Sequence, residues 1–478
     1  MIFLQDLKLA FRNVFRNTRR SLVTITAIML SCAGLILFAG YVAWAFRSAE
    51  CHAVVIFSHI QLAKRGYFEK GAGNPAAYAI ASYPELKQKL HGDPLIGPKL
   101  ELVTGQILLK GIVSYAEART SSTFVGLGVF PEEDWRFLSW NPYRLVMPLE
   151  IPANKDLYRS TPELASDDPD GASLGGGLAR LLELTGTPRA QPQTEPTLSR
   201  AFVANDASSA EEADLAALSQ EIATPEAGSS LRPSVELLCA PPGGGMPNAI
   251  SLSVRRVFTR PTKELDNHGL KLNIHRASEL LFPGEDLKVT SILLLLKRTS
   301  DMPAVVSRLK ELILQEQLDL ELRTWNELRP FYGQLRRLFQ TMFTFMFCII
   351  AVIVTFTIYN TLSMGIAERI PEIGTLRAMG VTRRGIMKSF LLEGLVLGLI
   401  GGLFGVLLAI VGELVINRLK IVYVPPGGAF YTQLEVLVLR FPAILAVCFG
   451  GALVAALLSA ILPARHAAQL LIVDALRH

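Results

Sequence analysis

Four stretches without a single charged residue set the environment in which this chain can fold: Ser21 to Phe46 (26 residues), Leu338 to Ala367 (30), Gly394 to Gly412 (19) and Phe441 to Ala464 (24). Each reaches the length of a transmembrane helix, because a hydrocarbon core about 30 Å thick takes roughly 20 residues at about 1.5 Å rise. Half of the 478 residues are hydrophobic and only 19% are charged. That excludes a disordered chain and argues against a soluble enzyme. The third run is short, so its helix is expected to start before Glu393 and end near Asn417. Glu393 and Glu413 then fall near opposite interfaces, as interfacial carboxylates rather than proton carriers. Ala43-Trp44-Ala45 imitates a signal-peptidase site, but the apolar run before it is too long for a signal peptide, so the segment reads as an anchor.

The net charge of +5 is sorted along the chain, so it does not imply nucleic-acid binding. Residues 1–20 hold Lys8, Arg12, Arg16, Arg19 and Arg20 against Asp6, and the segment between the second and third spans holds Arg369, Arg377, Arg383, Arg384 and Lys388. Positive flanks stay cytoplasmic, which places both termini and the 368–393 loop inside. Residues 47–337, with 32 basic and 35 acidic side chains, are then outside. In the first segment Leu4, Leu7, Phe11, Val14 and Phe15 share one helical arc and the five cations the next. That pattern suits a helix in the inner headgroup layer or a basic flank that only sets topology.

Strand-like runs open the outside segment at Ala53 to Phe57 and His59 to Ala63, and recur at Gln106 to Leu109, Thr123 to Val129, Ile250 to Phe258 and Thr290 to Leu296. Helical patterns cover Pro84 to Leu90 and Met302 to Leu318. The mixture predicts an α+β or α/β domain rather than a β-sandwich. Residues 141–248 contain 13 of the 27 prolines, so loops are expected from about 185 to 232, with one acidic helix at Ala210 to Glu221. Cys32, Cys348 and Cys448 lie in apolar runs; only Cys51 and Cys239 are left to pair in an oxidising compartment.

Enzymatic motifs are sparse. There is no Gly-Lys dipeptide and hence no P-loop, no H-E-x-x-H, no C-x-x-C, and the seven histidines are scattered, so no metal site is expected. His52 and His59 read as structural. Gly171-Ala172-Ser173-Leu174-Gly175 fits G-x-S-x-G, yet the preceding Ser166 to Asp170 is turn sequence and not the buried strand a nucleophile elbow requires. Gly394, Gly398 and Gly402, at four-residue intervals, are expected to let helices approach closely, within the chain or across a dimer. The run Gly365 to Val381 follows the second span directly. It mixes both charge signs with apolar residues fit to enter a partner's cleft.

The string Glu368-Arg369-x-x-Glu372-Ile373-Gly374-x-Leu376-Arg377-Ala378-Met379-Gly380 resembles the signature of FtsX-like permeases, the transmembrane subunits of a class of ABC systems that includes macrolide-export and lipoprotein-releasing permeases. Leu9 to Asn13 with Arg16-Asn17 and Arg19-Arg20 resembles the family's start. Ser58-His59-Ile60-Gln61 with Gly66-Tyr67 is similar to the G-H-I-Q and G-Y elements of lipoprotein-release members, with Ser58 in place of Gly. Gly177-Leu178-Ala179, Lys263-Glu264-Leu265-Asp266 and Leu462-Pro463-Ala464-Arg465 are similar to further elements of that family.

The resemblance implies an α-helical membrane protein with four transmembrane helices and a large α+β periplasmic domain of two subdomains at 47–337, between the first two. It implies a cytoplasmic amphipathic helix at 1–20, a coupling helix at 368–386, a third span at 387–417, a periplasmic loop at 418–440 and a cytoplasmic tail at 465–478. The coupling residues would be Glu368, Arg369, Glu372, Ile373, Gly374, Leu376, Arg377, Met379 and Gly380. A cytoplasmic ABC ATPase dimer would hold ATP and Mg, with no cofactor on this chain. A second permease copy or paralogue, the bacterial inner membrane and a periplasmic carrier or adaptor complete the expected partners. Mechanotransmission for lipoprotein or amphiphile extraction is the leading reading, ahead of signalling to a cell-wall hydrolase and of tripartite efflux.

Overall fold

The computed structural model describes residues 2–71, 73–146, 150–151, 163–184, 233–258, 263–328, 330–424 and 431–470. The Pro-rich stretch expected at about 185–232, with its acidic helix, lies outside them, as does the tail beyond 470. In chain order the principal elements are α1 (Ile2–Arg16), α2 (Thr18–Phe57), β1 (Ile60–Lys64), α3 (Tyr83–Gly92), β2 (Leu100–Tyr115), β3 (Thr120–Val129), α4 (Pro131–Leu138), β4 (Gly171–Gly175) and α5 (Gly176–Leu181). They continue with β5 (Ser234–Cys239), β6 (Asn248–Phe258), α6 (Lys263–His268), β7 (Gly269–Asn273), α7 (Ile274–Leu281), β8 (Ser291–Leu296), α8 (Met302–Gln315) and β9 (Leu320–Thr324). The last four helices are α9 (Pro330–Glu368), α10 (Ile370–Ala378), α11 (Arg383–Leu419) and α12 (Pro442–Gln469). Two compact units divide the chain: a helical one of Met1–His52, Arg329–Tyr423 and Gln433–His478, and a sheet unit of Ala53–Leu328 with Val424–Thr432.

Among the described residues four helices are long and apolar enough to cross a membrane: Thr18–Phe57, Tyr332–Glu368, Arg383–Leu419 and Pro442–Gln469. In the helical unit α11 is central, and its glycines decide how closely the others approach. A methyl group added at Gly394 would lie 2.6 Å from Ala460 Cβ, one at Gly398 2.7 Å from Ala456 Cβ, and one at Gly402 2.8 Å from the Phe449 ring, all on α12. On an adjoining face, methyls at Gly401 and Gly405 would each come within 2.7 Å of α2, at Ile28 and Cys32. The ladder is therefore occupied by helices of the same chain. Helix α9 differs, turning Phe345, Val352, Phe356 and Tyr359 outward.

The sheet unit orders its strands β3-β7-β4-β6-β5-β2-β8-β1-β9, and β2 also pairs with β3. Its 16-residue strand β2 explains this. The first half, Leu100 to Gln106, pairs with β8, and the second half, from Ile107, pairs with β3 while Ile112 to Ser114 also pairs with β5. The pairings thus close a six-strand ring on one half of β2, and β8, β1 and β9 extend from the other. Val113, Phe124, Leu174, Leu237 and Leu272 fill the core of the ring, while Ile60, Val103 and Leu294 are buried beside it.

The expected strand Ala53 to Phe57 is corrected: it is the last part of α2. A short apolar run has no periodicity that separates helix from strand, and lengthening a formed helix needs no new nucleation. The helix stops at Ser58, where φ is +62°. The Ser58 amide donates to the Val54 carbonyl at 2.7 Å and its hydroxyl to the Leu294 carbonyl at 2.6 Å. A left-handed residue at that place is what glycine supplies most readily; here the hydroxyl bond offsets the strain.

Four of the nine strands of this sheet escaped notice in the sequence. β5 alternates exposed and buried residues and was readable as a strand. β4 and β7 are buried at all five positions each, so neither shows alternation. β9 carries charges at Glu321 and Arg323.

Candidate functional site: the coupling segment

The helix expected over 368–386 is broken twice. Arg369, at φ −112° and ψ 16°, separates α9 from α10, and Pro371 starts the new helix at a position where its missing N–H costs nothing. Gly380, at φ +98°, ends it. The Gly380 amide donates to the Arg377 carbonyl and the Val381 amide to the Leu376 carbonyl, both at 3.1 Å. This pair of bonds is a Schellman motif, which requires the left-handed residue glycine provides. Thr382 then caps α11, its hydroxyl accepting from the Gly385 amide. The result is a nine-residue helix with defined ends held between two long ones.

Its two faces differ. Ile373 and Gly374 are buried, with Ile373 in a cluster of Ile366, Ile386, Phe390, Ala464 and Ala467 that draws on α9, α11 and α12. Arg377 donates to the Ala468 carbonyl at 2.9 Å, satisfying an acceptor near the end of α12. Opposite these, Leu376 is 41% and Met379 69% exposed, with Val381 beside them. Arg383 and Arg384 are exposed on the next turn.

The charged positions make bonds that the sequence reading did not anticipate. Arg16 reaches Glu372 with both guanidinium nitrogens, at 2.6 and 3.1 Å, and Arg20 reaches Glu368 at 2.7 Å. Deeper, Arg369 donates to Glu393 and to the Asn13 carbonyl, each at 3.1 Å, and the Asn13 amide donates to Glu393 at 2.7 Å. Helix α1 and the first turn of α2 are thereby joined to the two sides of the α9–α10 break. Its Ala10 and Val14 are buried in the bundle core, while Phe11 and Phe15 stay half exposed. The Ser21 hydroxyl donates to the Val14 carbonyl where α1 turns into α2. The Arg16 guanidinium holds the Glu372 carboxyl below its usual value, with burial opposing weakly and Arg369 adding to the effect.

At the other end of α11, Glu413 accepts the Val438 and Leu439 amides at 3.2 and 3.0 Å. Asn417 bonds both the amide and the carbonyl of Val436. The Leu437 amide donates to the Gly40 carbonyl at 3.2 Å. Glu413 and Asn417 therefore serve an irregular segment whose backbone groups need partners wherever water is scarce.

Other sequence candidates are structural. Ser173 lies inside β4, wholly buried and two residues short of its end. The strand is followed directly by α5, the order an elbow needs, but the hydroxyl points into the core. His59 is buried, its Nδ1 accepting the Leu296 amide at 3.1 Å and its Nε2 facing Thr299 at 3.0 Å. Burial pulls its pKa down to about 3, so it is neutral, and the accepting Nδ1 puts the proton on Nε2. Two motif fragments meet: the Asp266 carboxylate accepts the Gly176 and Gly177 amides at 3.0 and 2.7 Å, capping α5. Cys51 and Cys239 are buried and free. Burial pushes the Cys239 thiol up to about 12. Among the described residues no group of three or more His, Cys, Asp or Glu side chains is placed to hold a metal ion.

Residues 344–472 match the FtsX-like permease C-terminal family. The chain is similar to the macrolide export ATP-binding/permease protein MacB of Escherichia coli, 27% identical over 133 residues that make up 27% of this chain and 21% of that protein. It is similar to the ABC transporter permease YtrF of Bacillus subtilis, 31% identical over 137 residues, 28% of this chain and 31% of YtrF. A third relative is the lipoprotein-releasing system transmembrane protein LolC of Haemophilus influenzae, 26% identical over 154 residues, 32% of this chain and 38% of LolC. The similarity thus spans between about a fifth and two-fifths of these relatives. With four apolar helices of membrane-crossing length, the chain is a membrane protein that carries an FtsX-like permease domain.

Proposed function

We propose that this chain is the transmembrane subunit of an ABC transporter, and that α10 with its flanking turns receives the motion of a separate cytoplasmic ATPase dimer. The observation that carries this reading is the two-faced α10: Ile373 and Gly374 seated in the bundle, Leu376 and Met379 offered outward. A short helix wedged between α9 and α11 passes a push on its outer face into both. ATP and Mg stay with the partner; the residues of this chain bind and transmit. Two nucleotide states would then stabilise two arrangements of α9.

In this reading both termini and α10 face the cytoplasm of a bacterium's inner membrane, the sheet unit faces the periplasm, and a second copy or paralogue completes the permease. The cargo is a lipoprotein or another amphiphile drawn from the outer leaflet, entering between α2 and α9, towards a periplasmic carrier or adaptor. Each acyl CH2 brought into water costs about 0.8 kcal/mol, so extraction needs an external energy source. Similarity to LolC supports this cargo class, and similarity to MacB supports efflux as the second reading.

Leu376→Asp with Met379→Asp should abolish co-purification of an ATPase while the purified chain keeps its thermal transition. Retained co-purification removes the coupling role of α10. With the ATPase in nanodiscs, ATP-dependent release of a labelled lipoprotein is expected; ATP hydrolysis without release removes the cargo.

A further inference from the structure

The coupling helix has a second mechanical partner at the opposite end of the sequence. Arg16 and Arg20 are four residues apart, as are Glu368 and Glu372, and the two pairs face each other one to one. Both pairs straddle a helix break, at Asn17 on one side and Arg369 on the other. The matched spacing sets the break between α1 and α2 against the break between α9 and α10.

Two layers can be separated by exposure. The outer pairs are the more open ones: Arg16 and Glu372 side chains are 60% and 48% exposed, and Glu368 is 52% exposed with Arg20 at 24%. Pairs of this kind are weak, screened by salt and readily exchanged. The inner group is shielded, with Arg369 14% and Glu393 9% exposed, and each of its members bonds two others. Removing one of these leaves a buried charge without its partner, which is severe. The outer pairs are able to open while the inner group holds.

We propose that α1, with the first turn of α2, is a positioning element of the coupling segment, in which Arg16 and Arg20 form a releasable latch on Glu372 and Glu368, and Arg369, Glu393 and Asn13 form the pivot about which α10 tilts. The proposal rests on the reading of α10 as the ATPase contact. It differs from a surface-anchor role for α1, in which these arginines would face lipid phosphates and Glu368 and Glu372 would be free for the partner. It also moves the expected ATPase contact away from those two carboxylates and onto Leu376 and Met379.

The test has two arms. In a Cys348→Ser background, since that thiol is exposed, spin labels at Arg12→Cys and Thr375→Cys report the α1–α10 distance in nanodiscs, with no ATPase required. Arg16→Glu with Arg20→Glu should broaden the distance distribution. Adding Glu368→Arg and Glu372→Arg should narrow it again, a rescue that a generally misfolded variant would not show. In the second arm the co-purified ATPase is assayed: the double reversal should lower kcat by up to about a hundredfold, the scale on which a misplacement of about 1 Å slows a reaction. KM for ATP should hold, and the fourfold exchange should restore kcat. An unchanged distance distribution on reversal overturns the latch, and a broadened one with full kcat overturns its positioning role. If the unaltered chain binds no ATPase, the functional reading fails by itself, and the distance arm still decides whether the latch exists.

Discussion

The two ends of α11 carry one buried carboxylate each, twenty residues apart, or roughly 30 Å along the helix. Glu413 bonds to main-chain amides only, in a segment that follows it closely in sequence. Glu393 bonds to side chains, from Asn13 some 380 positions away and from Arg369 at a helix break. A main-chain amide held in a bend and turn has little freedom to follow a moving partner, so the Glu413 end is a fixture. A guanidinium on a rotatable stem can follow its carboxylate through a tilt, so the Glu393 end is a joint. Equal burial and equal charge on one helix therefore produce different mechanics, decided by what the partners are attached to.

The largest expected effect separates the two ends directly. Glu393→Ala leaves the Arg369 charge buried and unpaired and should cost about 3–5 kcal/mol, read as a fall in the thermal transition of the purified chain. Glu393→Leu with Arg369→Met should recover most of that loss, because removing both charges is far less damaging than removing one. If the double variant is as unstable as the single, Glu393 is not held by charge pairing and the contrast fails. Glu413→Ala strands two amides at about 1–3 kcal/mol each. The two amides use different carboxylate oxygens, so Glu413→Gln keeps one acceptor, turns its NH2 towards the other amide and should recover about half of that loss; a Gln variant as stable as the parent would show that only one of the two bonds matters.

Between the ends, the glycine ladder seats α11 closely against α12 and α2. Gly398→Ala places a methyl 2.7 Å from that of Ala456 and should cost about 1–3 kcal/mol as over-packing. Its effect should be the same whether or not Glu393 is altered, because the sites share no partner. Strong non-additivity in a double-variant cycle would mean that the joint reaches further along α11.

The smallest effect concerns the outer latch. Arg16 lowers the Glu372 pKa from its ordinary value of 4.5, so this carboxylate contributes stability that is complete above 4.5 and lost as pH falls through its lowered value. The α1–α10 distance should hold at pH 5 and loosen only in more acidic solution. Salt at about 1 M, where the screening length is near 3 Å, should loosen it at neutral pH. The Glu413 end should not respond to salt. Loosening already near pH 6 would assign the latch to some other group.

Much of this was readable beforehand, for identifiable reasons. The four apolar helices follow from composition, since a run without charges is a statement about solvent that no partner has to complete. The string from Glu368 to Gly380 was visible as a motif, and its end was marked by a glycine that the structure finds at positive φ. The break at Arg369 was not visible, although Pro371 pointed to it. The bonds that Glu368 and Glu372, expected as coupling residues, make to Arg20 and Arg16 were not visible, because an exposed carboxylate does not disclose which cation it meets. Only the repeated four-residue spacing of Arg16 with Arg20 and Glu368 with Glu372 hinted at the match.

The linear chain by itself determined that this protein is apolar enough to span a membrane, where its spans lie, and which residues close the helix after the second one. These are local matters of hydrophobicity, spacing and backbone freedom. Tertiary structure alone decided that α11 is the central helix, that its glycines face helices of the same chain, that β2 serves two halves of one sheet, and that α1 bonds to Glu372, Arg369 and Glu393. Each of those is a contact between residues far apart in sequence, and a side chain's partner is set by the geometry that brings them together.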